Sequence, residues 1–361
     1  MNKEPQDQVE TARHFKLRRY VLTVVLVLLP LLLSIVALEA FALRIGETMP
    51  MWLVAKWQSA GPDREWRGGD GRSYLTYKVA RTLELRPQIL VVGSSRANSF
   101  EAYMFAPYSF YNAGLTCWTF DHYRRFLEII TKNGYAPKVL IFNFDYWMFA
   151  QGFDLNWAGR FYERPTTHIA DLKMVVDQLM KAPLDLWKRL PLTEHYRGLA
   201  AVLTANGFRA DGSLFGQPQS PDPNRLLHDD ITVGVPPVVL ADHISPEQVT
   251  QFQRFVAVAK AHHIALIGIQ VPYYVKVLNG LDTNPKAGIW REFQSAKWRR
   301  FFDQSGMIFF DFADMPGISN DPQYFIDSVH PDARVIRAVM KIVFRDPRVR
   351  AVLPKPEEKP R

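Results

Sequence analysis

The stretch YVLTVVLVLLPLLLSIVALEAFAL, residues 20–43, constrains this chain more than any other, because it carries one charge, Glu39, near its far end. A run of about 20 apolar residues crosses a hydrocarbon core as a helix, so everything after it folds with one end tied to a bilayer. Lys3, Arg13, Lys16, Arg18 and Arg19 precede the run, and positive flanks stay on the cytoplasmic side. The expected organisation is a cytoplasmic tail (1–19), one transmembrane helix (20–43) in the inner (cytoplasmic) membrane, and a periplasmic or otherwise extracytoplasmic remainder. Ala40-Phe41-Ala42 resembles a signal-peptide processing site. The apolar run, however, exceeds the roughly 7–15 residues of a signal h-region, which favours an uncleaved anchor. Pro30 at mid-span is tolerated in a membrane helix.

The rest of the chain has the composition of a folded domain with a sizeable core. The net charge of +8 is spread along the 361 residues and forms no long basic block, so a nucleic-acid partner is not expected. Cys117 is the single cysteine, which excludes an intramolecular disulfide and any multi-cysteine metal site. His262 and His263 are adjacent and on a helix would point to different faces, a poor spacing for metal ligands. Neither a metal nor a cofactor is expected.

Residues 44–85, with the polar, Gly-rich GPDREWRGGDGRS (61–73), are expected as a tether and approach segment. Apolar runs then alternate with amphipathic ones. QILVVG (88–93), PYSFYNAG (107–114), KVLIFNF (138–144), ALIGIQV (265–271) and MIFFDF (307–312) each have the length and apolarity of a buried strand. HYRRFLEIITKNG (122–134) places Phe126, Ile129 and Ile130 on one helical face and ends in Asn-Gly, a C-terminal signal. PEQVTQFQRFVAVAKAHHI (246–264) is expected as a helix capped by Ser245, and DARVIRAVMKIVF (332–344) as a closing helix. This alternation predicts an α/β domain over 86–345, a parallel sheet covered by helices on both faces. A largely helical insertion (150–245), including the loop GQPQSPDPNR (216–225), interrupts it at the sheet edge, and 346–361 forms a charged, Pro-rich tail. The aromatic cluster around Trp118 and from Tyr146 and Trp147 to Tyr162 is expected as core, with carbohydrate stacking open to exposed members.

In parallel α/β sheets, ligands sit beyond the carboxyl ends of the strands. Gly93-Ser94-Ser95 follows the first core strand there, ahead of an expected helix whose N-terminus favours developing negative charge. A serine hydroxyl is weak until a base takes its proton. YFIDSVHPDARVIR (324–337) offers one: in a turn, Asp327 can reach Nδ1 of His330 while Nε2 faces outward, which fixes the tautomer a base needs. Each element alone also reads as ordinary structure, an N-cap serine and a surface histidine.

These blocks, in this order, resemble the SGNH (GDSL-like) hydrolase and acyltransferase superfamily, over roughly 86–149 and 262–345. The resemblance implies a three-layer αβα fold with a five-stranded parallel, flavodoxin-like sheet. It makes Ser95 the nucleophile, His330 the general base and Asp327 its orienting acid, with Ser94 in the place of the usual Asp. YNAGLTCWT (111–119) is similar to the second block, whose glycine N–H serves the oxyanion; aligning N-x-G on Asn112 and Gly114 puts that later glycine at Cys117. The third block normally ends G-x-N-D, but here the strand ends Asn143-Phe144-Asp145-Tyr146. Asp145 thus stands where an oxyanion-binding Asn is expected, and Asn143 is the alternative donor. Arg96, directly after the nucleophile, is expected either to pair with Asp145 or to line the site.

The GSS form with a single anchor resembles the D-alanyl transfer protein and the alginate-type O-acetylation proteins, which work beside membrane-bound O-acyltransferases. That implies a serine acyltransferase or esterase moving or removing an acetyl-like group on a cell-envelope glycan. A catalytically inactive scaffold or glycan-binding protein is the alternative.

Overall fold

The computed structural model describes residues 4–69, 71–152, 168–214 and 239–356. The loop expected at 216–225, Tyr162 and the end of the tail lie outside the described residues. The chain opens with α1, Glu4–Ile45. Within it, an 18-residue window of Phe15–Ile45 has a mean hydropathy of 3.0, and among the described residues this is the one helix long and apolar enough to cross a membrane. Ala40-Phe41-Ala42 lies inside this helix, with Ala42 buried.

The segment expected as a tether is built into the domain. It forms α2 (Met51–Ser59) and α3 (Tyr74–Leu85), and Trp66, Tyr77, Lys78 and Arg81 are all buried. Gln58 ties its parts together, donating from Nε2 to the carbonyls of Arg64 and Phe208 and accepting from the Tyr77 hydroxyl. The Lys78 ammonium donates to the Asn112 and Gly212 carbonyls and lies 3.9 Å from the Phe208 ring centroid. Burial pushes the Lys78 pKa well down, against the attraction of Asp211. These are polar groups satisfied inside, which the Gly-rich composition of 61–73 does not announce.

The sheet contains β1 (Ile89–Gly93), β2 (Phe110–Gly114), β3 (Val139–Asn143), β4 (Ala265–Gln270) and β5 (Ile308–Asp311). Their order is β2-β1-β3-β4-β5, and every pairing is parallel. Because successive side chains alternate faces, each apolar run feeds two cores. Leu90, Val92, Leu140 and Phe142 join one cluster, covered by α4 (Phe120–Lys132) and by the helix Pro246–Ala261. Ile89, Val91, Val139 and Ile141 join the other, covered by Ile336, Val339 and Val343 of the closing helix Ala333–Val343. This is why the strands are continuous apolar runs and not alternating ones.

Helix ends follow local chemistry. Asn133-Gly134 closes α4, with Gly134 at φ +74°, the left-handed region that glycine enters freely. Ser245 caps the helix Pro246–Ala261 by position, without a side-chain hydrogen bond. In the insertion, α5 (His168–Lys181) and α6 (Pro183–Arg189) pack on the end of α1. The stretch that meets the sheet edge is 208–214, where the Asn112 N–H of β2 donates to the Asp211 carbonyl at 2.8 Å. Gly212 permits that approach: a β-carbon there would stand 2.0 Å from the Asn112 oxygen.

Candidate active site

The strand order reverses between β1 and β3, the crevice where open α/β sheets bind ligands. Gly93 ends β1 at this point, and a β-carbon on it would lie 1.9 Å from Asn143 Oδ1. Only glycine leaves room for the Asn143 carboxamide against the strand end. The chain then enters a 3₁₀ turn, Ser95–Ala97, whose N-cap is Ser94. Ser94 is buried and its Oγ accepts from the Arg96 N–H, while Ser95 is partly exposed. The two serines therefore do different work: one closes the turn and the other faces the crevice.

Ser95 Oγ lies 2.7 Å from His330 Nε2. His330 Nδ1 in turn lies 2.8 and 2.7 Å from the two Asp327 oxygens. Asp327 Oδ1 also accepts the backbone N–H groups of Val329 and His330. Burial is the largest single influence on Asp327 and opposes its ionisation, but the His330 ring and those two N–H groups together hold its pKa below the usual carboxylate value. An ionised Asp327 keeps the proton on Nδ1 and leaves Nε2 free to accept one from Ser95. The loop that carries this pair is fixed at both ends: the Ile326 N–H donates to the His330 carbonyl, and Asp332 caps the closing helix through the Arg334 and Val335 N–H groups.

The five further residues expected to line the site are turned elsewhere. The Gly114 N–H donates to Asn112 Oδ1 at 2.7 Å, and the Cys117 N–H to the Gly93 carbonyl at 3.1 Å. Neither is directed at an oxyanion. Asn143 lies beneath the turn, accepting the Ser94 N–H at 2.8 Å and donating from Nδ2 to Asp145 at 2.7 Å. Asp145 is fully buried, 3.1 Å from Arg96 Nε, and accepts the Tyr273 hydroxyl. Burial raises the Asp145 pKa, opposed by Arg96, Asn143 and Tyr273.

Arg96 is a clamp. Its Nη atoms donate to the Val329 carbonyl beside His330 and, at 2.6 Å, to the Val271 carbonyl after β4. The guanidinium lies 3.8 Å from the Tyr273 ring centroid. Ser99 Oγ adds a second tie, donating to the Pro331 carbonyl. The turn that carries Ser95 and the loop that carries His330 are thus held together by the residues that follow Ser95.

One residue passed over in the sequence stands out. Asn98 is 6% exposed, and its Nδ2 is buried with no hydrogen-bond partner among the described residues. Its N–H donates to the Ser95 carbonyl across the 3₁₀ turn. Side chains three apart in such a turn tend to share one face, and Asn98 stands three residues after Ser95. The spacing Ser95-x-x-Asn98 was the available signal. The Ser95 N–H also has no partner among the described residues.

Among the described residues no group of three or more His, Cys, Asp or Glu is placed to hold a metal ion. A cleft of about 610 Å³ lined by Arg86, Tyr135, Lys138 and His263 opens at the other end of the sheet, near the strand starts. It contains none of the hydrogen-bonded triad. No family model matches this sequence, and no curated protein matches it, which leaves the geometry around Ser95 to carry the functional conclusion.

Proposed function

We propose that this chain is a membrane-anchored serine acyltransferase or esterase of the SGNH type, acting outside the cytoplasm on acyl, acetyl-like esters of a cell-envelope glycan. The hydrogen-bonded series Ser95–His330–Asp327 at the strand-order switch is the observation that supports it. Ser95 Oγ attacks the acyl carbonyl carbon while its proton passes to His330 Nε2. The tetrahedral adduct collapses, the ester C–O bond breaks, and the departing oxygen takes the proton from Nε2. A glycan hydroxyl or water then attacks the acyl-Ser95 ester by the same steps in reverse. The glycan specificity, and a membrane-bound O-acyltransferase as the partner that supplies acyl groups, rest on the resemblance of the GSS and D-x-x-H blocks.

The oxyanion is assigned two donors, the Ser95 N–H and Asn98 Nδ2. Losing one such donor costs about 10²–10³ in kcat. Asn98→Ala is therefore expected to lower kcat for an aryl acetate by that factor with little change in KM. Since Nδ2 has no partner to lose, the melting temperature should hold or rise. A variant with the parent's kcat removes Asn98 from the site.

The main test is covalent labelling of the full-length protein with a fluorophosphonate, with the adduct located by mass spectrometry. Label on Ser95, absent from Ser95→Ala, is expected. The commitment of the Gly114 and Cys117 N–H groups elsewhere favours the second reading, a catalytically inactive scaffold or glycan-binding protein. That reading predicts no label, no ester turnover, and glycan affinity retained in Ser95→Ala/His330→Ala.

A further inference from the structure

We propose that α5 and α6 form a membrane-interface element, seating an apolar face in the headgroup boundary of the leaflet from which α1 emerges. The inference rests on α1 crossing the bilayer. Counting about 20 residues at 1.5 Å each from Tyr20 fills a 30 Å hydrocarbon core near Glu39. Glu39 accepts a hydrogen bond from Thr48, as expected of a carboxylate beyond the hydrocarbon. The following turns of α1, through Ile45, therefore stand at headgroup level.

These are the turns on which the two helices pack. Ala42 and Ile45 are buried in one cluster with Val175 of α5 and Leu186 of α6, and the Phe41 and Trp187 rings are 5.1 Å apart. Among the described residues, other side chains of the pair stay exposed, and Trp187 keeps an exposed edge beside its contact with Phe41. Ile169 is 79% exposed, Met180 81%, Leu184 65% and Trp187 56%. Ile169, Val176 and Met180 recur at i, i+7 and i+11, one stripe of a helix. Single exposed apolar residues are ordinary, but a stripe that continues onto a second helix is a surface needing an occupant.

Lipid is the occupant because the pair packs on the turns of α1 that directly follow its exposed apolar span, which includes Leu32, Leu33 and Val36. Lys173 interrupts the stripe, but its ammonium pairs with Asp177 at 2.8 Å, and a long lysine stem lies along an apolar surface with its head in the polar layer. Exposed Lys181 and Lys188 flank the face, the charge that anionic headgroups attract. Trp187 is of the type that collects at membrane interfaces. On α2, which starts six residues after α1 ends, Trp52 and Leu53 are also exposed, and the Lys56 ammonium lies over the Trp52 ring. With α1 this gives the domain more than one foothold, which fixes its tilt on the bilayer.

The test uses the full chain in vesicles of phosphatidylcholine and phosphatidylglycerol, with bimane on Ile169→Cys, Met180→Cys or Leu184→Cys. Cys117 is buried and stays unlabelled. Leu28→Cys reports the span, and Lys260→Cys the exposed side of the helix Pro246–Ala261. The three face positions should lose fluorescence to a nitroxide tethered at headgroup depth and resist aqueous iodide, with Lys260 behaving oppositely. If Leu28 is quenched from lipid while the three face positions are open to iodide, the interface proposal is overturned, and the face belongs to a protein partner or a second copy. If Leu28 is itself open to iodide, the transmembrane reading fails and takes the proposal with it.

Discussion

Asp327→Asn should lower ester turnover by about 10⁴-fold, the scale on which a base loses its correct tautomer, while leaving the domain folded. An amide oxygen can still accept the Val329 and His330 N–H groups that Asp327 Oδ1 accepts now, so the loop keeps its shape. It cannot stabilise an imidazolium, and its NH₂ group favours a ring with the proton on Nε2, where the Ser95 proton has to go. His330→Ala should fall as far, and the double variant Asp327→Asn/His330→Ala little further, because residues acting as one unit are not additive. Initial rates on an aryl acetate with circular dichroism on the same samples check this. Full additivity of the two losses would break the unit.

The pH dependence follows from the depressed Asp327 pKa. With the carboxylate ionised well below neutrality, Asp327 itself should add no limb to the rate profile near neutral pH. Stability carries the opposite sign of linkage from a histidine gaining a partner. The folded pKa of Asp327 is below its unfolded value, so its contribution is present above the unfolded pKa and lost as pH falls through the folded one. Below about pH 4 the parent should therefore lose melting temperature faster than Asp327→Asn.

What the sequence reveals of this architecture divides by the range of the interactions involved. The five strands are legible because both faces of the sheet are buried, so ILVVG and VLIFN need no alternation to be recognised. Ser94 and Ser95 can be told apart only through a partner 235 residues away, which the order of the blocks supplies and local propensity does not. Block alignment sends Gly114, Cys117 and the end of β3 toward an oxyanion, and the geometry departs from it. Gly93 lets the Asn143 carboxamide lodge under Ser94, which uses up the alternative donor, while Asp145, at the aligned position, is buried against Arg96. Residues 44–85 look like a linker because, beside a small cluster of Val54, Trp66 and Tyr77 on Phe208, they are held by buried polar groups, Gln58, Lys78 and Arg81, whose partners are carbonyls on distant segments. Hydropathy patterns do not register such partners.

Arg96→Ala should be the most destabilising single change near the site. Its guanidinium is 1% exposed and Asp145 is fully buried, and removing one partner of a buried pair costs about 3–5 kcal/mol because the other charge is left without compensation. The carbonyls of Val271 and Val329 lose their donors as well. For a domain of this size each kcal/mol is worth about 2–4 °C, so a drop on the order of 10 °C is expected. Arg96→Lys should recover little, since an ammonium cannot span two carbonyls and a carboxylate while stacking on Tyr273. Removing both charges separates stability from positioning. In Arg96→Met/Asp145→Leu the unpaired charge is gone, and stability should return toward the parent. Turnover should not, because the Val329 carbonyl is then untethered and His330 is free to move, and a misplacement near 1 Å costs about 10²-fold. The deficit should appear in kcat and in the rate of fluorophosphonate labelling, with KM nearly unchanged. A double variant that labels as fast as the parent would reduce Arg96 to a structural residue.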